Sequence, residues 1–95
     1  MASVTASIAA QDSWSEGIDI KGSFDLSISG TFSATVTVQR SFDGGSTWAD
    51  VDTFTGPTET YGFQPHYAVY RVGVATGDYT SGTAVVSIYD EDLSA

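Results

Sequence analysis

The chain has 95 residues, no cysteine, twelve acids against three bases, and a formal net charge of −9. That length suits one domain with one modest core, and without cysteine there is neither a disulfide nor a cysteine-based zinc site. Lys21, Arg40 and Arg71 are too few for the basic stripe that nucleic acid or an anionic membrane surface requires, and the single His66 excludes most histidine-based metal and triad chemistry within one chain.

The first ten residues lack the positive and apolar regions of a secretory signal. No apolar run approaches the ~20 residues of a membrane helix, so synthesis in a cytoplasm is expected. Val4, Ala6 and Ile8 then open a period-two pattern. It continues through Ile18 and Ile20, through Phe24, Leu26 and Ile28, and through Val36 and Val38. Tyr70, Val72 and Val74, then Ala84, Val86 and Ile88, complete it. Successive strand side chains point to opposite faces, so each segment has one face for a core and one for water. No stretch repeats at helical spacing, and no helix is predicted. Gly22, Gly30, Gly44 with Gly45, Gly56 with Pro57, Pro65, Gly77 and Gly82 mark turns. Gly73, inside a strand, marks a bulge or a close backbone approach. The pattern predicts a single all-β domain over residues 1–95, an antiparallel β-sandwich of roughly seven to eight strands, with a small closed barrel as the alternative. Residues 1–22, including Trp14, add an N-terminal arm or an extra edge strand, and residues 90–95 form a flexible acidic tail. Phe24, Tyr70 and Phe32 are core candidates.

Residues 41–48 read Ser-Phe-Asp-Gly-Gly-Ser-Thr-Trp between two strands. Asp followed by two glycines is a strong turn signal, because glycine accepts positive φ and the Asp carboxylate accepts nearby backbone N–H groups. The stretch resembles the Asp-box motif, S/T-x-D-x-G-x-T-W, and Ser41, Asp43, Gly45, Thr47 and Trp48 match its defined positions, with Gly44 between them. In families that carry the motif, sialidases among them, it is a structural hairpin repeated around a propeller. One copy in 95 residues excludes a propeller. Trp48 either caps this hairpin or presents a platform to a sugar or a protein.

Residues 35–45, Thr-Val-Thr-Val-Gln-Arg-Ser-Phe-Asp-Gly-Gly, resemble the third strand and following turn of fibronectin type III-like and immunoglobulin-like modules. Residues 67–76 are similar to their sixth strand and residues 82–89 to their last. Residues 29–48 and 70–82 together resemble small β-rich structural proteins of tailed bacteriophages, including head decoration (cement) proteins. The resemblance implies a virion role on the capsid exterior. The partners would be the major capsid protein or other virion proteins, with self-association, as a trimer, also implied.

The acids offer nominal catalytic pairs. Asp50 and Asp52 share a strand face if the alternation holds, and Asp90, Glu91 and Asp92 sit at the chain end. A sandwich this small has little room for a substrate cleft between two carboxylates. Asp43, or Asp78 near Ser81, offers a few oxygens to calcium, but neither has the spacing of a calcium loop. No catalytic residue, metal ligand or cofactor is therefore assigned, and the acids read as solvating charge. His66 reads as an exposed loop residue. Arg40 and Arg71 lie on strands, where they neutralise acids, run along the sheet or anchor an interface. Five Tyr, five Phe and two Trp exceed what the core needs. Trp14, Phe42, Trp48, Tyr61 and Tyr67, with Arg40 and Arg71, are thus the candidate interface. The expected function is a non-enzymatic virion structural protein that binds and stabilises the capsid. The alternatives are a neck, tail or fibre module, or a carbohydrate-binding module using exposed aromatics.

Overall fold

The computed structural model describes residues 3–90, among which there are nine strands and no helix. Met1, Ala2 and residues 91–95, with most of the expected acidic tail, lie outside the described residues. The strands are β1 (Ser3–Ile8), β2 (Ser13–Trp14), β3 (Ile18–Ser29), β4 (Phe32–Ala34), β5 (Val36–Ser41), β6 (Ala49–Phe54), β7 (Thr58–Val74), β8 (Tyr79–Gly82) and β9 (Ala84–Asp90). One antiparallel sheet runs in the order β1-β9-β3-β7-β5-β6, with β2 also paired to β7. A small second sheet pairs β4 with β8.

Two long strands organise the molecule. In the β3–β7 ladder, Ile20 faces Ala68 and the next pair is Gly22 with Gln64. Lys21 therefore stands opposite Pro65, His66 and Tyr67. Proline has no N–H to give to a ladder, and a bulge is where a strand tolerates it. Gly22 supplies a φ of +94° at the same place. The sheet bends sharply here. Residues 18 and 24 of a flat strand would lie ~20 Å apart. Yet Phe24 and Tyr70, the latter paired to Ile18, bring their ring centroids to 4.8 Å. Strands that switch layers through bulges make the corners of sandwiches. One layer holds β1, β9, the end of β3 and the start of β7; the other holds β2, the start of β3, the end of β7, β5 and β6.

The inward positions of the alternating pattern fill the space between. Ile8, Ile18, Ile20, Phe24, Leu26, Ile28, Val36, Val38, Tyr70, Val72, Val74, Ala84, Val86 and Ile88 are all buried. Val4, Ala6 and Phe32 pack against them partly buried. Each large apolar side chain withdrawn from water contributes roughly 1.5–3 kcal/mol. The fold is thus all-β and antiparallel, as the periodicity indicated.

Several local expectations are corrected. Gly22 and Pro65 do not end strands; both lie at the bulge inside β3 and β7. His66 is exposed as expected but sits in β7, not in a loop. The last strand, β9, lies between β1 and β3. Asp50 and Asp52 do not share a face, because a bulge intervenes in β6: Asp52 pairs with inward Val38, and Asp50 with Gln39. Of the two possibilities expected at Gly73, the close approach is the one present: a Cβ there would lie 2.1 Å from the Ser13 carbonyl oxygen and 2.7 Å from the Trp14 Cα.

Candidate interaction surface

The β5–β6 connection closes on its own side chains. The Ser41 hydroxyl, buried at the end of β5, donates to Asp43 Oδ1 at 2.6 Å and accepts from the Gly45 N–H at 2.9 Å. Asp43 Oδ1 also accepts from the N–H groups of Ser46 at 3.1 Å and Thr47 at 2.9 Å, while its Oδ2 accepts from the Thr47 hydroxyl at 2.6 Å. Gly44 and Gly45 take φ values of +76° and +102°, which side chains other than glycine adopt at a cost. Donors from Ser41 and Thr47 hold the Asp43 carboxyl well below the usual carboxylate range. A depressed native pKa means that the carboxylate's contribution is complete above its ordinary value near 3.8 and is lost as pH falls through the native one. The Ser46 and Thr47 amide resonances should therefore hold their positions from pH 7 to below pH ~4, and Asp43→Ala should shift both at every pH. Movement of the wild-type resonances already at pH ~5 would contradict this account.

The turn delivers Trp48 to the outer face of the sheet. Its ring covers the Arg71 guanidinium at 4.3 Å, and Trp14 covers the same group at 4.4 Å. Arg71 is thus held between two indoles, one from β2 and one following the turn. Its Nε donates to Gln39 Oε1 at 2.9 Å, and Gln39 Nε2 donates to Asp50 Oδ1 at 2.8 Å. Burial lowers the Arg71 pKa, but a guanidinium stays charged at neutral pH. The stack is worth about 1–2 kcal/mol over the two rings. Both tryptophans of the chain flank this one cation. Arg71→Ala should therefore shift the intrinsic fluorescence of the folded protein to the red, and Arg71→Lys should shift it less. An unchanged emission spectrum would refute the stack.

A second cluster lies where β5 ends beside β7. The Arg40 guanidinium stands 5.0 Å from the centre of the Phe42 ring, and its Nη1 donates to Gln64 Oε1 at 3.2 Å. The same oxygen accepts from the Tyr70 hydroxyl at 2.7 Å. Among the described residues Arg40 Nε is buried without a hydrogen-bond partner. Beside it opens a cleft of about 240 Å³ between β7 and the β5–β6 pair, floored by Phe24, Leu26, Val38 and Tyr70. Tyr61 and Phe63 line its edge and are 82% and 68% exposed, among the most exposed large apolar side chains of the fold.

The structure therefore divides the predicted interface. Trp14, Trp48 and Arg71 meet in one stack, while Arg40 and Phe42 meet in the second cluster, with Tyr61 across the cleft. Tyr67 stands apart at the bulge, where its hydroxyl donates to Asp19 Oδ1 at 2.7 Å; that carboxylate raises the tyrosine pKa. Both arginines donate to glutamine carbonyls where neutralised acids had been one expectation. Gln39, Gln64 and Phe63 were not anticipated as site residues. Only Phe63 carried a signal, its spacing of two from Tyr61. Among the described residues no helix is long and apolar enough to cross a membrane, and no three His, Asp or Glu cluster closely enough to hold a metal ion. Comparison with protein-family models, curated proteins and solved structures finds no match.

Proposed function

We propose that the protein is a non-enzymatic binding module of a bacteriophage virion, and that it decorates and stabilises the outer capsid. The resemblance of residues 29–48 and 70–82 to small phage structural proteins supports the virion setting. The observation that carries the binding role is the pairing of exposed Tyr61 and Phe63 with an apolar cleft that opens into the core. Aromatic side chains of this kind are what protein interfaces concentrate. The net charge of −9 favours encounter with a basic surface. A carbohydrate-binding role draws less support, since Trp14 and Trp48 each turn a ring face to Arg71.

The test is quantitative mass spectrometry of purified virions from a phage that encodes the chain. A copy number comparable with that of the major capsid protein is expected. Absence from the particle, or presence in only a few copies, would overturn decoration; the latter result would favour a neck, tail or fibre position.

A further inference from the structure

The lengths of β5 and β7 do not match. β7 has 17 residues and β5 has six. Their ladder runs from Thr37 with Gly73 to Ser41 with Val69, and there the chain leaves β5 for the hairpin. Beyond that point β7 keeps β3 on one side down to Thr58, but among the described residues no strand pairs with its other edge over residues 58–66. Among the described residues no other backbone group bonds to that edge either. Natural edges are usually blunted by Lys, Pro or a covering loop. This one presents Tyr61 and Phe63 to solvent, with Pro65 only at its end.

We propose that this edge receives one extended strand from a different protein, in line with β5, with apolar side chains at alternate positions and Lys or Arg beside them. This deepens the binding-module reading and rests on it. Three observations define the occupant. The cleft floor belongs to the core, so alternate side chains of an added strand would enter it as a missing row of the sandwich. Arg40, whose Nε is buried without an acceptor among the described residues, is itself a lining residue of the cleft, and a strand laid there brings backbone carbonyls to that side chain. Asp52 in the cleft wall and exposed Glu59 on β7 favour a basic partner. A second copy would instead bring its own charge of −9.

The experiment selects binders to the full chain from a displayed random-peptide library and follows amide hydrogen exchange with the winning synthetic peptide. Enriched peptides should alternate apolar with polar residues, carry Lys or Arg, and slow exchange across residues 58–66. Phe63→Glu should weaken binding about tenfold or more while leaving the thermal melt unchanged. The proposal is overturned by no enrichment, by protection mapping elsewhere, or by sedimentation showing that the free chain pairs with itself through this edge. Abundant protein in virions whose residues 58–66 exchange as in the free chain would defeat this inference and leave decoration intact. Peptide docking at β7 by a protein absent from virions would do the reverse.

Discussion

Gly73→Val should destabilise the protein by about 2–3 kcal/mol, the scale of an overpacked core. The obstacle is backbone. A Cβ at this position meets the carbonyl oxygen of Ser13 and the Cα of Trp14, neither of which can rotate away. β2 would have to leave β7. With it would go the Ser15 N–H to Val72 carbonyl bond at 2.8 Å and the Val72 N–H to Ser15 Oγ bond at 3.0 Å. Trp14 would also withdraw from Arg71, so the fluorescence should redden along with the loss of stability. Urea unfolding measures the effect as a lower midpoint at constant slope. Gly56→Ala is the control: nothing lies within 4 Å of its would-be Cβ, and the change should be near neutral. Equal effects at the two sites would mean that β2 is not held against β7 in this way.

The second large effect belongs to Gln64. Its Oε1 is the acceptor for both the Tyr70 hydroxyl and Arg40 Nη1. Gln64→Leu is close in size but leaves a buried hydroxyl and part of a half-buried guanidinium without an acceptor. The expected loss is about 2–3 kcal/mol. Tyr70→Phe removes the hydroxyl itself and leaves Gln64 bound to Arg40, so it should cost only about 1 kcal/mol. The asymmetry is the prediction. If the two variants melt together, the shared acceptor is not what organises this corner.

Gln64 also marks where reading the chain by pattern stops. The inward faces of β1, β3, β5, β9 and the end of β7 follow from alternation of apolar residues, although the other face of β5 and β9 is partly covered too, with Thr37 and Ser87 buried. β6 carries no such trace: five of its six residues are exposed, and its bulge separates two acids that simple alternation would align. Pro65 misleads for a related reason. Proline ordinarily closes a strand, but here the ladder yields around it and resumes at Ala68. The hairpin was legible residue by residue, since its bonds run between near neighbours. The stack of Trp14, Arg71 and Trp48 was not, because three remote segments meet only once β2, β7 and the turn are in place. The shared acceptor at Gln64 was hidden in the same way, its partners lying on separate stretches of β5 and β7.

The insertion of β9 between β1 and β3 has a consequence for how the chain matures. Ser3 pairs with Tyr89, and Phe24 with Asp90, so both neighbours of β9 are made long before it. During translation β1 waits with no strand to lie against, and the flank of β3 stays open until β9 leaves the ribosome. Pairings of such long sequence separation form slowly and leave sticky intermediates exposed meanwhile. Overproduction at reduced temperature, which slows aggregation of such half-finished chains, should raise the yield of folded protein.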